Sequence, residues 1–205
     1  MTERIVIKIG GATLFQPNGF ETVLRKLLSR NQNAQVWLVA GGGDLVEAMR
    51  NAHKIYPKLD DEEMHWRCVE LLDHTWSIAK EVFQTDYAVA SREDLERVSK
   101  LGKTPGSCWV RVQSFYSRGN CGLIPDSWRP RSDWSTTSDV LAWLLGMMIA
   151  ADRVILMKQC KCDPVWTIAE AAQRGVVDAE LARLVYLNPG FGPTIELKSK
   201  ALPYS

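Results

Sequence analysis

Three short apolar runs mark the chain at 4–9, 34–40 and 153–158, the first reading "RIVIKI". A continuous apolar run of this length, rich in β-branched residues, is typical of a strand that is buried on both faces of a sheet. We therefore predict that these three runs form the centre of a mostly parallel sheet. Two less regular runs, 86–91 and 107–112, predict further strands.

Helical periodicity fills the intervals between these runs. The pattern at 59–83 is the longest in the chain and carries acidic residues in its first turn, where the helix dipole favours them. The segment 135–151 is apolar nearly all round, which predicts a helix that is buried on most sides. Shorter helical patterns cover 19–30, 43–53, 92–100, 167–174 and 178–184.

Two segments lack a regular pattern. Prolines and glycines interrupt 113–134, which predicts a loop or a hairpin there. A glycine-containing tail follows the last helical pattern.

The order of these elements predicts the fold. Strands that alternate with helices run parallel and connect through right-handed crossovers. We therefore expect an α/β fold, a three-layer α/β/α sandwich with a mostly parallel central sheet. A chain of 205 residues is long enough for one well-buried domain, so we predict a single domain over 1–205.

Composition excludes several classes of function. A formal net charge of +1 provides no basic face for nucleic acid and no attraction to an acidic membrane surface. The five cysteines are odd in number and scattered, and no leader pattern begins the sequence, so we expect a cytoplasmic protein. "CKC" at 160–162 lacks a partner pair at zinc-ligand spacing, and no metal site is predicted.

Glycines follow the predicted strands 4–9 and 34–40. Lys8 lies within the strand 4–9, and Lys158 ends the strand 153–158. The carboxyl ends of parallel strands meet at one edge of the sheet, where α/β proteins bind ligands. Glycine allows backbone N–H groups to approach a phosphate closely, although glycines can also simply end strands. The candidate phosphate-binding residues at this edge are Lys8, Lys158, Gly10, Gly11, Gly41, Gly42 and Gly43.

Lys8 lies in an otherwise apolar strand and needs an anion beside it if it is buried. That anion is either a ligand phosphate or Asp139, which lies early in the predicted helix 135–151. Two alternatives remain open, because Lys8 could reach solvent and Asp139 could simply cap its helix.

Three segments resemble the amino acid kinase family, which includes acetylglutamate, aspartate, carbamate and bacterial uridylate kinases. They are "KIGGATL" at 8–14, "VAGGGDLV" at 39–46 and "TTSDVLAWLLG" at 136–146. The resemblance implies an ATP-dependent kinase that transfers the γ-phosphoryl group to a phosphate or carboxylate acceptor. It also implies that Asp139 orients the catalytic lysines Lys8 and Lys158, that Mg²⁺ accompanies ATP, and that the protein forms a homodimer or higher homo-oligomer.

Within that family the chain resembles a short branch found in methanofuran biosynthesis and bacterial one-carbon metabolism. "DDEEMHWRCVELLD" at 60–73, "VILMK" at 154–158 and the late "GPTI" carry this likeness. It implies an aminomethyl-furan methanol phosphate as the acceptor and a diphosphate as the product. Candidate substrate-binding residues are His65, Ser138 and the loop arginines Arg129 and Arg131, which could bind an anionic acceptor bidentately.

The sequence departs from the family pattern after Lys158. "QCKCDPVW" follows in place of the family's aspartate-x-x-glycine loop, and Ala12 stands where the family commonly has serine. The second phosphate lysine is therefore either Lys158 or Lys198. Two other functions stay open: a catalytically silent nucleotide- or oxyanion-binding protein of the same fold, and a partner subunit in a hetero-assembly.

Overall fold

The computed structural model of the chain describes residues 2–16 and 19–199. This part of the chain contains a sheet of six strands in the order β3-β4-β2-β1-β5-β6, and every neighbouring pair is parallel. The strands are β1 Arg4–Ile9, β2 Gln35–Ala40, β3 Tyr87–Val89, β4 Gly106–Val110, β5 Arg153–Lys158 and β6 Thr194–Ser199.

Helices connect these strands. They are α1 Gly11–Leu14, α2 Phe20–Arg30, α3 Gly43–Ile55, α4 Asp61–Val82, α5 Arg92–Lys100, α6 Ser138–Met148, α7 Ile168–Gln173 and α8 Ala179–Leu187. Between β4 and α6 the chain forms a loop with two short 3₁₀ turns, Val112–Ser114 and Cys121–Leu123. The predicted irregular segment is therefore a loop, without a hairpin.

The sheet separates two apolar cores. Alternate side chains of a strand point to opposite faces, so Ile5 and Ile7 of β1 pack on one side and Val6 on the other. The Ile5 side is covered by α2 and the end of α4, and the Val6 side by α5, α6, α8 and the first half of α4. The predicted three-layer α/β/α sandwich is confirmed.

The three predicted central strands occupy the middle of the sheet. All six residues of both β1 and β2 are buried, and Ile5 of β1 is paired with Val36 of β2 and Arg153 of β5. Strands buried on both faces need apolar side chains at successive positions, which is why these runs were recognisable in the sequence.

The predicted helix 135–151 is shorter in the structure. α6 begins at Ser138 because the Thr137 side chain accepts a hydrogen bond from the backbone N–H of Asp139, capping the helix. It ends at Met148, and Ala150 follows in the left-handed region at φ 50°. Nine of its eleven residues are buried, as the all-round apolar pattern predicted.

The tail contains a strand that the sequence prediction missed. Residues 194–199 form β6, which pairs in parallel with β5 at the edge of the sheet. Leu197 is the one residue of this strand that is buried. An edge strand with so little apolar surface lacks the pattern that marked the central strands.

The long helix α4 buries most of its apolar side chains within the chain itself. Met64, Trp66 and Leu72 are buried, whereas Ile78 and Val82 remain 38% and 47% exposed. No helix in the described residues is long and apolar enough to cross a membrane.

Candidate active site

Two lysines and one aspartate form a buried ionic cluster at the carboxyl edge of the sheet. Lys8 Nζ lies 3.0 Å from Asp139 Oδ1, and Lys158 Nζ donates a hydrogen bond to Asp139 Oδ2. The Lys8 ammonium and Asp139 Oδ1 form an ion pair. Asp139 is only 3% exposed. The cluster therefore holds two positive charges and one negative charge away from bulk water.

The order of the strands brings these residues together. β1 and β5 are neighbours in register, with Lys8 opposite Leu156, so Lys8 and Lys158 lie on the same face of adjacent strand ends. α6 packs on that face and directs its first turn towards them. Burial alone would raise the pKa of Asp139, but the two ammonium groups hold it below its usual value, so the carboxylate is ionised.

Asp139 does not cap its helix. Thr137 occupies the capping position, and Asp139 is the second residue of α6. Its carboxylate is therefore used by the two lysines, and Lys8, which is 9% exposed, does not extend into solvent.

The two glycine loops pack against each other through bare backbone. A Cβ atom on Gly11 would lie 2.0 Å from Gly43 N, and one on Gly43 would lie 2.6 Å from the carbonyl carbon of Gly11. Gly43 also has φ 53°, which favours glycine. The contact between α1 and α3 thus requires glycine at both positions, independently of any ligand.

The remaining glycines differ in what they allow. A Cβ on Gly41 would come within 3.0 Å of Ser138 Oγ and 3.2 Å of Lys8 Cε, so this glycine lies against the ionic cluster. A Cβ on Gly42 would lie 2.1 Å from Val46 Cγ2, which is a packing constraint. At Gly10 the nearest atom would be the Met157 carbonyl oxygen at 3.8 Å, an ordinary contact.

A cavity of about 290 Å³ adjoins the cluster through Thr137 and Ser138, which precede Asp139, although Lys8, Asp139 and Lys158 are not themselves among its lining residues. Its wall includes the first residues of α3 and α6, whose leading N–H groups have no partner within their own helices. Both helix N-termini carry partial positive charge, which favours anions at this wall. The cavity is lined by residues that include Ala12, Gly42, Gly43, Asp44, Glu47, Arg50, His65, Asp133, Trp134 and Ser138.

His65 lines the cavity, but the protein occupies both of its ring nitrogens. Nδ1 lies 3.1 Å from the Asp133 carbonyl oxygen, which can only accept, so Nδ1 carries the proton. Nε2 then accepts from the Tyr116 hydroxyl at 2.9 Å. Burial lowers the pKa of His65 and keeps it neutral. A ligand in the cavity can therefore contact the imidazole ring of His65, but neither ring nitrogen is free to hydrogen-bond to it.

Arg50 is a cavity residue that the sequence interpretation missed. Its guanidinium lies 5.4 Å from the centre of the Trp134 ring, and its Nε lies 3.6 Å from Glu47 Oε1. Nε is buried and makes no hydrogen bond to any described residue. A signal existed in the sequence, because Glu47 and Arg50 follow Gly43 at helical spacing and so share one face of α3.

The arginines predicted from the loop lie elsewhere. Arg129 donates to the carbonyl oxygens of Gly122 and Ile124, at 3.2 and 2.6 Å, and so holds its own loop together. Arg131 Nε lies 3.9 Å from Glu180 Oε2. Neither arginine lines the cavity, so the structure does not bring them to the site.

Lys158 and Lys198 have different partners. Lys158 joins the buried cluster, whereas Lys198 Nζ lies 3.1 Å from Glu196 on the edge strand β6. The structure thus places Lys158, and not Lys198, in the ionic cluster. Within the described ranges, no group of three histidine, cysteine, aspartate or glutamate side chains could hold a metal ion.

Two solved kinases have a similar fold. Uridylate kinase from Archaeoglobus fulgidus matches with a TM-score of 0.54 at 16% identity, covering 96% of this chain and 91% of that one. UMP kinase from Ureaplasma parvum matches with a TM-score of 0.57 at 13% identity, covering 96% and 90%. No family model and no curated protein matches the sequence. The chain therefore has the α/β/α fold that its sequence predicted, and it shares this fold with the two kinases.

Proposed function

We propose that the protein is an ATP-dependent phosphotransferase that acts on a small anionic acceptor. The observation that carries the proposal is the buried cluster of Lys8, Lys158 and Asp139 beside a cavity. Phosphoryl transfer needs positioned positive charge and in-line geometry more than covalent chemistry from the protein.

The cluster provides this charge in a fixed position. Asp139 neutralises one of its two lysines, so one net positive charge remains for the oxygens of the transferred phosphoryl group. Because the carboxylate holds both ammonium groups, they need little rearrangement when charge develops. A phosphate acceptor is already ionised, so this mechanism requires no general base.

The proposed reaction requires ATP as a substrate and Mg²⁺ as the ion that accompanies it. Backbone N–H groups at the start of α3 and the two lysines fit the nucleotide's phosphate oxygens. The described carboxylates provide no dedicated cage, and Asp139 is already paired with lysines. Mg²⁺ would therefore be held by ATP oxygens and water, its usual arrangement with nucleotides.

The cavity supports an acceptor that carries an anionic group. Arg50 presents a buried nitrogen without a hydrogen-bond partner among the described residues, and Trp134 provides a flat apolar wall. A volume of about 290 Å³ suits a small metabolite. We propose a phosphate monoester as the acceptor. An aminomethyl-furan methanol phosphate is the specific compound that the sequence resemblance implies, and its ammonium group would share the Glu47 carboxylate with Arg50.

The test is ADP release by the purified protein with Mg-ATP and a panel of acceptors. Matched phosphate monoesters, carboxylates and the corresponding alcohols separate the acceptor classes. Release with a phosphate monoester and none with its alcohol supports the proposal. ATP binding without ADP release from any acceptor would instead identify a catalytically silent binding protein.

A further inference from the structure

A second carboxylate, that of Asp178, lies near the ionic cluster. It occupies the N-cap position of α8, yet its side chain makes no capping hydrogen bond to that helix. Instead, Asp178 Oδ2 accepts a hydrogen bond from the Thr137 hydroxyl, 41 residues earlier in the sequence. An aspartate at an N-cap ordinarily satisfies its own helix, so this side chain is committed to another element.

Thr137 connects Asp178 to the cluster. Its hydroxyl has one hydrogen, which it donates to Asp178, and its oxygen accepts from the Asp139 backbone N–H at 3.3 Å. Donation to Asp178 fixes the rotation of the hydroxyl hydrogen and so leaves the oxygen's lone pairs free to accept from that N–H. Two hydrogen bonds, called the relay here, therefore connect Asp178 through Thr137 to Asp139, which contacts both lysines.

The electrostatic surroundings agree with this geometry. Burial raises the pKa of Asp178, and the nearby charge of Asp139 raises it further, whereas the Thr137 hydrogen bond and the two lysines lower it. Asp178 is thus close enough to interact electrostatically with all three charges of the cluster, although its side chain hydrogen-bonds, among the described residues, to Thr137 alone.

We propose that Asp178 is a positioning residue for phosphoryl transfer, acting through Thr137 to fix the first turn of α6 and so the carboxylate of Asp139. The proposal rests on the proposed kinase function. Small displacements of preorganised groups have large effects on rate, so loss of Asp178 should affect turnover more than nucleotide binding.

The test compares Asp178→Ala with Asp178→Asn and with a control N-cap. Asparagine retains a carbonyl oxygen that can accept from Thr137, and alanine does not. We expect Asp178→Ala to lower kcat about 10- to 100-fold with KM for ATP within about twofold, and Asp178→Asn to stay within about threefold of wild type. Asp60→Ala removes an aspartate that caps its own helix at Glu63 N, and should leave kcat unchanged.

A second readout does not depend on turnover. Hydrogen exchange at the amides of Asp139 and Val140 should be faster in Asp178→Ala and unchanged in Asp178→Asn and Asp60→Ala. Wild-type exchange rates in Asp178→Ala would overturn the positioning role, as would equal losses of kcat in the two Asp178 variants. If the wild type releases no ADP with any acceptor, the kinase proposal fails while the exchange measurement still decides whether the relay exists.

Discussion

Arg50 is the residue on which the proposed acceptor site depends most directly. Its Nε is buried beside Glu47 and makes no hydrogen bond to the described residues. Arg50→Gln should raise KM for an anionic acceptor at least about tenfold and leave KM for ATP unchanged, because it removes a positive charge from the proposed acceptor site and none from the lysine cluster. Steady-state ADP release at varied acceptor concentration measures this.

Arg131→Gln is the matched control for that change. Its side chain is 63% exposed and lies near Glu180, away from the cavity. A rise in KM for the acceptor in Arg131→Gln, with none in Arg50→Gln, would contradict this assignment. It would indicate that the acceptor binds at the loop 113–134, as the sequence predicted.

His65 makes the stability of the fold depend on pH. Because burial lowers its pKa in the folded state, the unfolded chain binds a proton more readily. The stabilisation that the neutral His65 gives the folded state is complete above the unfolded pKa of about 6.5 and decreases as pH falls below that value. We expect urea midpoints to fall from pH 8 to pH 5.5 in the wild type, and less steeply in His65→Gln. Parallel pH profiles would contradict this.

At the scale of elements, the contact between α1 and α3 depends on glycine at position 43. Gly43→Ala adds a Cβ that would lie 2.6 Å from Gly11 backbone, at a φ of 53°. Gly175→Ala is the control, because Gly175 has φ 68° with nothing within 4 Å of its Cβ position.

Urea denaturation of the two variants separates the cost of a left-handed alanine from the cost of the close contact with the Gly11 backbone. Gly175→Ala should lower the free energy of unfolding by about 1 kcal/mol, the cost of a left-handed alanine. Gly43→Ala should lower it by about 1–3 kcal/mol more, because backbone atoms must move apart. Equal losses would show that the loops do not pack as described.

The elements that the sequence predicted best are those with a continuous apolar run or a clear helical period. β1, β2 and β5 are buried on both faces, and α5 matches its predicted segment, residue for residue. β6 was missed because an edge strand with one buried residue has no comparable pattern. The strand ends predicted that Lys8 and Lys158 would meet, since parallel topology determines that edge.

The positions of the arginines could not be predicted in the same way. Arg129 and Arg131 precede α6 in sequence, but their side chains bond within the loop or lie near α8. Which side chain faces a cavity depends on packing between distant elements, and the sequence carries that information only where a helix face repeats, as it does at Arg50.

At the scale of the whole molecule, a homodimer remains a prediction from the family resemblance. The apolar surface of α4 adds little support to this prediction, because most of that surface is covered within the chain. Ile78 and Val82 are the exposed apolar residues of this helix. Sedimentation velocity at micromolar concentration should show a dimer, and a monomer would refute the prediction.

The most direct test of the central claim is the turnover of Lys8→Met beside that of Lys198→Met. Methionine keeps the length of the apolar stem, and Lys198 is paired with Glu196, outside the cluster. Lys8→Met should melt near the wild-type temperature yet lower kcat about two to four decades, because preorganised charge on the transition state is lost. Lys198→Met should retain wild-type kcat. Full turnover in a folded Lys8→Met protein would contradict the kinase mechanism at its centre.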